Sequence, residues 1–334
     1  MSQSSSFEAG VSRARPARVL VSGSVAFDTI MVFDGHFKDH ILPDQVHMLN
    51  VSFLTPRLKR EFGGCAANIA FNLVGLGGQA TILATVGHDG DGYLTRLTEM
   101  NIDTAAIKRI DSEFTAQAFI TTDLADNQIV AFHPGAMSMA HEVSAVAAAG
   151  HNGETPAQCM AIVGPNGKQA MIDHAAECAG AGMPFIFDPG QGLPMFDGAE
   201  LRTLIEQANA VTVNDYEAKL MIERTGWSAE EIASRVEALI VTRGGSGSEL
   251  YTGGEMTQVD AAAISKAVDP TGCGDAYRGG LLYGLSRGWS WLDSTRLGSV
   301  MGAIKIEQQG PQNHRVDRSD IAARYEKAFG SKPW

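Results

Sequence analysis

The sequence predicts an α/β fold in which helices flank a central, mostly parallel sheet, with a small additional β-sheet. Short apolar runs alternate with segments of helical period along most of the chain, which is typical of parallel βαβ units. Two segments, at about 30–56 and 112–133, contain β-type or alternating residues and no helical period. These two segments predict antiparallel strands that are inserted into the α/β chain.

The first buried strand is predicted at Val19–Gly23, an apolar run that stops at a glycine. A helix is predicted from Gly64 to Leu76, because apolar residues recur at helical spacing and two glycines follow. The other predicted strands are 81–86, 160–163, 185–188, 211–214 and 239–242, and the other predicted helices are 93–100, 166–181, 198–208, 215–225, 275–287, 291–307 and 318–329. Since strands and helices alternate, we expect helices on both faces of the sheet.

The two inserted segments predict a sheet that is separate from the main one. Residues 114–132 alternate with period two around a turn, and residues 30–53 contain Pro43 among β-type residues. A small sheet hinged over the mouth of the main sheet would act as a lid, whereas ordinary surface hairpins are the alternative. Residues 1–16 are rich in serine and arginine, so a flexible tail is expected there rather than a signal peptide. The α/β domain is then predicted to span 17–334.

The composition of the 334 residues, 44% apolar and 19% charged, is typical of a globular chain. A net charge of −12 argues against broad nucleic-acid binding, which needs a basic face. No apolar run reaches the roughly 18 residues of a membrane span. The four cysteines form no CxxC pair, so reduced thiols in the cytoplasm are expected. Cys65 and Cys273 lie in glycine-rich turns, where each is either a nucleophile or a small residue that packs closely.

The most informative stretch is the glycine-rich turn 271–274, which leads directly into an apolar helix that begins near Asp275. Free N–H groups at a helix start suit an anion such as phosphate. A carboxylate there would repel the anion, unless Asp275 takes a proton from an attacking hydroxyl while the amides hold the phosphoryl group. The stretch therefore predicts a small-molecule kinase, and the alternative is a glycine turn capped by an aspartate.

Two other groups of residues lie next to a predicted strand or helix. Both are expected at the edge of the parallel sheet where ligands bind, beyond the carboxyl ends of the strands. Asp28 follows the first strand, where its carboxylate could accept two hydrogen bonds from a vicinal diol or could simply occupy a surface turn. Gly63 and Gly64 open the next helix and allow a ligand to approach, and Asn68 offers a donor and an acceptor. A tight helix start against the sheet is the alternative for the second group.

Two loops after later strands suit a nucleotide. Residues 242–247 are rich in glycine and fit phosphates, although a simple hairpin explains them too. Residues 214–217 start a helix and offer oxygens that could order the waters of Mg²⁺, although a capped helix start explains them too. The sequence has no Walker loop, no protein-kinase H-R-D or D-F-G, and no G-x-G-x-x-G after the first strand.

Taken together, these motifs resemble the ribokinase/PfkB family of small-molecule kinases over nearly the whole chain. Gly63-Gly64 with Asn68 is similar to the N-terminal motif of that family, and residues 269–275, D-P-T-G-C-G-D, are similar to its D-T-G-x-G-D motif apart from Pro270. The chain looks most like the bacterial adenosine kinase-like branch that acts on nucleosides, through residues 37–43, 50–54, 134–137 and 214–217.

The resemblance implies a ribokinase-like fold and specific roles for the motif residues. Asp275 would be the catalytic base, and the backbone amides of Gly272, Cys273 and Gly274 would form an anion hole with it. The implied substrate-binding residues are Ser24, Asp28, Gly64, Asn68, Phe119 and Gln191, with Phe114 as a further candidate. Asn214, Thr242, Gly244 and Gly247 would bind ATP, Glu217 would act on Mg²⁺ through water, and Asp269 with a loop near 308–312 would hold K⁺.

The activity that this resemblance implies is ATP-dependent phosphorylation of the 5′-hydroxyl of a purine ribonucleoside such as adenosine, inosine or guanosine. A sugar kinase of the same family is an alternative, although no basic cluster that would suit a phosphosugar stands near Asp28 or Asn68. A non-catalytic nucleoside-binding regulator is another, although it would not need to keep residues 272–275. An exposed edge of the lid sheet would be a natural surface for a homodimer.

Overall fold

The computed structural model describes residues 18–41, 50–125 and 127–334. The predicted flexible tail, residues 1–16, lies outside these ranges, as does Pro43 of the first predicted insert. In the described part of the chain, every helix is too short or too polar to cross a membrane.

Strands and helices alternate along the described chain largely as the hydrophobic pattern predicts. The strands are β1 (Arg18–Ser22), β2 (Ala26–Val32), β3 (Arg57–Gly63), β4 (Ala80–Gly87), β5 (Ile107–Ile110), β6 (Ala116–Thr122), β7 (Gln128–His133), β8 (Cys159–Val163), β9 (Phe185–Phe187), β10 (Ala210–Asn214), β11 (Ala238–Thr242), β12 (Ser248–Thr252) and β13 (Glu255–Val259). The α-helices are α1 (Cys65–Gly75), α2 (Asp91–Glu99), α3 (Ala145–His151), α4 (Lys168–Gly180), α5 (Gly198–Gln207), α6 (Asp215–Thr225), α7 (Ala229–Ala233), α8 (Cys273–Ser286), α9 (Trp291–Ile306) and α10 (Arg318–Phe329).

The large sheet has the strand order β13-β12-β11-β10-β9-β8-β1-β4-β5. Its pairs are parallel except those that join β12 to β11 and to β13. Alternate residues of β1 face opposite cores: Val19 and Val21 pack with α1 and α8, whereas Leu20 packs with the helices of the other face. The predicted α/β class, with helices on both faces of a mostly parallel sheet, is confirmed.

Four strands form a separate small sheet in the order β3-β2-β6-β7. Its strands start before the predicted insert at 30–56 and continue beyond it, because β2 begins at Ala26 and β3 covers Arg57–Gly63. Consecutive charged residues in β3 hide the alternation that would have marked it as a strand. The prediction of purely antiparallel pairing is wrong, since β2 pairs with β6 in parallel. The chain between β2 and β6 contains β3, α1, β4, α2 and β5. These two parallel strands are therefore joined by a long crossover connection.

Candidate active site

The candidate site lies where α1 and α8 begin side by side. Gly279 of α8 packs so close to α1 that a Cβ atom there would lie 2.5 Å from the Cβ of Asn72. The missing side chain therefore lets the two helices approach each other. As a result, Asn68 in α1 contacts Asp275 in the first turn of α8.

Asp275 has the properties of a base that is held in place on one side. Asn68 Nδ2 donates a hydrogen bond to Asp275 Oδ2 at 2.8 Å, and the side-chain hydrogen bonds of the described residues leave Oδ1 without a partner. Burial raises the pKa of Asp275 to about 6, and the charges of Asp188 and Asp28 act in the same direction, against the Asn68 hydrogen bond and Arg278. The carboxylate is therefore ionised at neutral pH and more basic than an ordinary aspartate.

The turn before α8 presents free amide groups to the same space. Gly272 has a left-handed backbone with φ of 78° and caps the helix, a conformation that favours glycine. The N–H of Cys273 donates to the carbonyl of Pro270 at 3.1 Å, so its place in the anion hole stays a prediction. Within the described chain, the N–H groups of Gly272, Gly274 and Asp275 have no acceptor and remain free for an anion.

Asp28 is a second carboxylate beside this turn. Burial raises the pKa of Asp28 to about 6, and the nearby charges of Glu61 and Asp269 add to the effect. Its side chain accepts no hydrogen bond from any described residue, although it is half-buried. A desolvated carboxylate without donors costs free energy until a ligand supplies them, and two adjacent hydroxyl groups can do so.

A buried hydrogen-bond network orients Asn68 toward Asp275. Gln312 Nε2 donates to Asn68 Oδ1 at 2.9 Å and to the hydroxyl of Tyr93 at 2.7 Å. The Tyr93 hydroxyl in turn donates to the carbonyl of Gly63 at 2.6 Å. Because Asn68 Oδ1 accepts from Gln312, its amide group must face Asp275. Sequence reasoning missed this role of Gln312, since only the fold brings residue 312 to α1.

Two of the predicted substrate contacts, Ser24 and Gln191, follow parallel strands of the large sheet, and Gly64 lies beside Ser24. Ser24 Oγ accepts a hydrogen bond from the N–H of Cys65 at 3.1 Å and so satisfies an amide at the start of α1. Gly64 directly precedes α1 and lies against the main chain of Ser24. Gln191 is exposed in a short 3₁₀ turn after β9. Phe114 precedes β6, and its exposed ring packs 4.4 Å from the ring of His88.

The register of the small sheet separates Phe119 from Asp28. In the pairing of β2 with β6, Asp28 stands opposite Ala118, whereas Phe119 stands opposite Thr29. Neighbouring residues of a strand point to opposite faces, so Phe119 lies on the face away from Asp28, and this register does not favour its predicted contact with the nucleoside. Phe132 of β7 pairs with Ala118 and therefore shares the face of Asp28. Sequence reasoning missed Phe132, because only the register distinguishes the two aromatic residues.

A cavity of about 390 Å³ adjoins the start of α8. It is lined by Thr242, Gly244, Gly245, Gly247, Ala261, Ala262, Ala263, Ile264, Cys273, Gly274, Tyr277, Ser299, Gly302, Ala303 and Ile306. Its small, mostly apolar lining suits a flat heteroaromatic ring. The predicted loop 242–247 contributes to it and is also the connection between antiparallel β11 and β12. The residues of 261–264 and of α9 that line the cavity carry no recognisable motif, so the sequence did not predict them.

Asn214 and Glu217 form a reciprocal cap at the start of α6. The Glu217 N–H donates to Asn214 Oδ1 at 2.8 Å, and the Asn214 N–H donates to Glu217 Oε2 at 2.8 Å. The capping alternative thus accounts for both residues, and Asn214 is absent from the lining of the cavity. Burial raises the pKa of Glu217, and the charge of Asp188 adds to this. The role of Glu217 toward Mg²⁺ remains a prediction.

A buried ion pair stands behind the turn of Asp275. Arg278 Nε and Nη2 donate to the two carboxylate oxygens of Asp188 at 2.7 and 2.8 Å. Both side chains are almost fully buried, and the pair is bidentate. Arg278 therefore brings a fixed positive charge to the first turns of α8, and sequence reasoning missed it.

The groups predicted to hold K⁺ already have protein partners. Lys305 Nζ donates to the carbonyls of Asp269 at 2.9 Å and of Gln308 at 3.1 Å. The Asp269 carboxylate accepts from the N–H groups of Thr271 and Gly310 and from Gln309 Nε2. This donor set does not fit a potassium ion, because an ammonium group stands among its carbonyls.

Neither cysteine of the glycine-rich turns is suited to nucleophilic attack. Burial raises the pKa of the Cys65 thiol to about 12 and that of the Cys273 thiol to about 11. Both thiols are therefore protonated at neutral pH. All four cysteines are free.

A base beside an anion-binding helix start, next to a cavity for a flat ring, is the site of a phosphotransferase with an alcohol acceptor. The chain belongs to the pfkB family of carbohydrate kinases, which matches residues 23–318. Both the family predicted from the motifs and the ribokinase-like fold are confirmed.

Among solved structures, the chain is similar to the nucleoside kinase of Burkholderia thailandensis in complex with inosine. The two are 49% identical over 94% of this chain and 99% of that one, with a TM-score of 0.83. The same kinase in its ADP-inosine complex is 52% identical and covers 94% of this chain and 97% of that one, with a TM-score of 0.81. The nucleoside kinase of Methanocaldococcus jannaschii is 29% identical over 83% of this chain and 90% of its own length.

Proposed function

We propose that this chain is an ATP-dependent nucleoside kinase that transfers the γ-phosphoryl group to the 5′-hydroxyl of a purine ribonucleoside such as adenosine, inosine or guanosine. The observation that supports this best is the placement of two carboxylates, Asp28 and Asp275, beside the start of α8, where burial raises the pKa of each to about 6. Asp28 accepts no hydrogen bond from the described residues, and Asp275 stands beside main-chain N–H groups that have no acceptor among them. The inosine complexes of the Burkholderia thailandensis nucleoside kinase support the choice of a purine nucleoside.

Asp275 is proposed to accept the proton of the attacking hydroxyl. A carboxylate is too weak to deprotonate a free alcohol, but the alcohol becomes acidic as its oxygen bonds to phosphorus. The new O–P bond forms while the bond between the γ-phosphorus and the β-phosphate oxygen breaks. The proton moves to Asp275 Oδ1, since Asn68 holds Oδ2, and ADP leaves. The free N–H groups of Gly272 and Gly274 meet the charge on the phosphoryl oxygens.

Asp28 is proposed to bind the 2′- and 3′-hydroxyls of the ribose. This contact aims the 5′-oxygen at the γ-phosphate, and such positioning lowers the barrier of a bimolecular step. The exposed ring of Phe132 lies on the same face of the small sheet, so we assign it the contact with the base. We also propose that Ser24, Gly64 and Gln191 contact the nucleoside, as the resemblance to the family implies.

Mg²⁺ is expected to enter with ATP. Among the described residues, no three acidic, histidine or cysteine side chains converge on one point that could hold a metal. The half-buried Glu217 fits an ion that keeps its waters, because a carboxylate can accept hydrogen bonds from them. When bound, Mg²⁺ offsets the negative charge of the phosphates.

The small sheet is proposed to act as a lid that keeps water out during transfer. We further propose a homodimer through this sheet, because β7 is an edge strand with every residue exposed. The free cysteines support a reducing, cytoplasmic location. Sedimentation tests the dimer, and a monomer at every concentration would contradict it.

The experiment that tests the function measures ADP release with ATP, Mg²⁺ and a panel of ribonucleosides and free sugars. Purine ribonucleosides should give the highest kcat/KM, and the product should be the 5′-monophosphate. Faster turnover of a free sugar would favour the sugar-kinase alternative. Nucleoside binding without ADP release, in calorimetry on the same preparation, would favour a non-catalytic regulator.

A further inference from the structure

Lys305 of α9 is a cation that is completely buried beside the anion-binding turn. Its side chain has 0% of its surface exposed. Its Nζ atom donates to two main-chain carbonyls, that of Asp269 at 2.9 Å and that of Gln308 at 3.1 Å. These carbonyls belong to two loops, residues 269–271 and 308–310, which we call the two framing loops. The Lys305 side chain therefore connects them from within the core.

Burying an ammonium group costs free energy, so other groups of the protein must stabilise it. Removing such a charge from water costs several kcal/mol unless polar groups replace the lost hydration. Here carbonyl oxygens replace it, since both oxygens of the Asp269 carboxylate accept hydrogen bonds from other groups. Burial lowers the pKa of Lys305, while the charges of Asp269 and Asp275 oppose this. Rings of carbonyl oxygens are also what proteins use to replace the hydration shell of a potassium ion.

The framing loops position the turn that carries the anion hole. A Cβ atom on Gly272 would lie 2.8 Å from the Cβ of Pro311, so the turn rests directly on the chain that follows the second framing loop. The N–H of Gly310 donates to Asp269 Oδ2 at 2.7 Å and adds a second connection between the loops. Any separation of the loops would therefore move Gly272 away from the position that it holds at the start of α8.

We propose that the ammonium group of Lys305 takes the structural place of a monovalent cation between the framing loops and makes the activity independent of added K⁺. This inference rests on the proposed kinase function only for its activity readout. It reverses the expectation, implied by the resemblance, that Asp269 and the loop near 308–312 hold K⁺. A variant that lacks the ammonium group and leaves an empty space in its place should therefore need K⁺ for full activity and stability.

The test compares Lys305→Ala, which opens space, with Lys305→Met, which fills the space with a neutral chain of similar length. Activity and melting temperature are measured in potassium chloride and in tetramethylammonium chloride at equal ionic strength. The wild type should give the same values in both salts. Lys305→Ala should lose kcat at least roughly tenfold in tetramethylammonium and regain most of it in K⁺, with a higher melting temperature in K⁺. Lys305→Met should lose kcat in both salts.

Lys327→Met, at an exposed position of α10, is the matched control and should behave as the wild type. The melting temperature does not depend on the reaction, so failure of this inference can be distinguished from failure of the proposed function. A wild type that K⁺ activates several-fold would overturn the proposal. A folded Lys305→Ala protein whose melting temperature does not respond to K⁺ would also overturn it.

Discussion

Asn68 Nδ2 lies 2.8 Å from Asp275 Oδ2, although 207 positions separate the two residues in the chain. This contact joins α1, which follows β3 of the small sheet, to α8, whose start forms the proposed anion hole. It leaves one oxygen of Asp275 free and fixes the direction of the other. The base of the proposed reaction is thus oriented by a residue of the nucleoside side of the site.

Asp275→Asn should lower kcat by roughly 10²–10⁴, because the amide cannot accept the proton of the hydroxyl. The side chain keeps its size, so the fold should persist, and circular dichroism with the melting curve checks this. Steady-state kinetics at saturating ATP and nucleoside measures the effect. Turnover close to that of the wild type would exclude Asp275 as the base.

Asn68→Ala should shift the pH profile of kcat. In the wild type, kcat should fall as the pH decreases through about 6, where Asp275 takes up a proton. The hydrogen bond from Asn68 lowers the pKa of Asp275, so its loss raises that pKa and moves the acid limb to higher pH. The profile is measured at saturating nucleoside, where Asp28 is covered by ligand. An acid limb at an unchanged pH would contradict this role of Asn68.

Asp28→Ala should weaken nucleoside binding, and each lost hydrogen bond to the carboxylate should account for about 1.5–3 kcal/mol. Calorimetry with adenosine and with 2′-deoxyadenosine gives a thermodynamic cycle. The wild type should distinguish the two ligands, and Asp28→Ala should distinguish them much less, because the partner of the 2′-hydroxyl is gone. Equal discrimination by both proteins would reject the diol contact.

Phe132→Ala should raise the KM for the nucleoside, since stacking of a base on an aromatic ring contributes roughly 1–3 kcal/mol. Phe119→Ala is the matched control, because it removes an exposed ring from the opposite face of the same sheet. The KM for ATP should change in neither variant. A larger effect of Phe119→Ala than of Phe132→Ala would contradict the assignment by register.

Much of the fold could be predicted because its signals are local. The apolar runs of β1, β8, β10 and β11 and the glycines after α1 identify their elements without knowledge of the rest of the chain. Strand β3 was missed, since four of its seven residues, Arg57, Lys59, Arg60 and Glu61, are charged. The pairing of β2 with β6 could not be predicted either, because it joins strands that are distant in the sequence.

The sequence by itself determined the α/β class and the family, and it singled out two candidate carboxylates, Asp28 and Asp275, because each belongs to a short motif near the start of a predicted element. Only the tertiary structure decided which groups surround them. The orientation of Asn68 by Gln312, the side of the small sheet that Phe132 occupies and the burial of Lys305 among carbonyls depend on helix packing and strand register. Contacts between residues so far apart arise from the packing of the whole chain, and no local pattern encodes them.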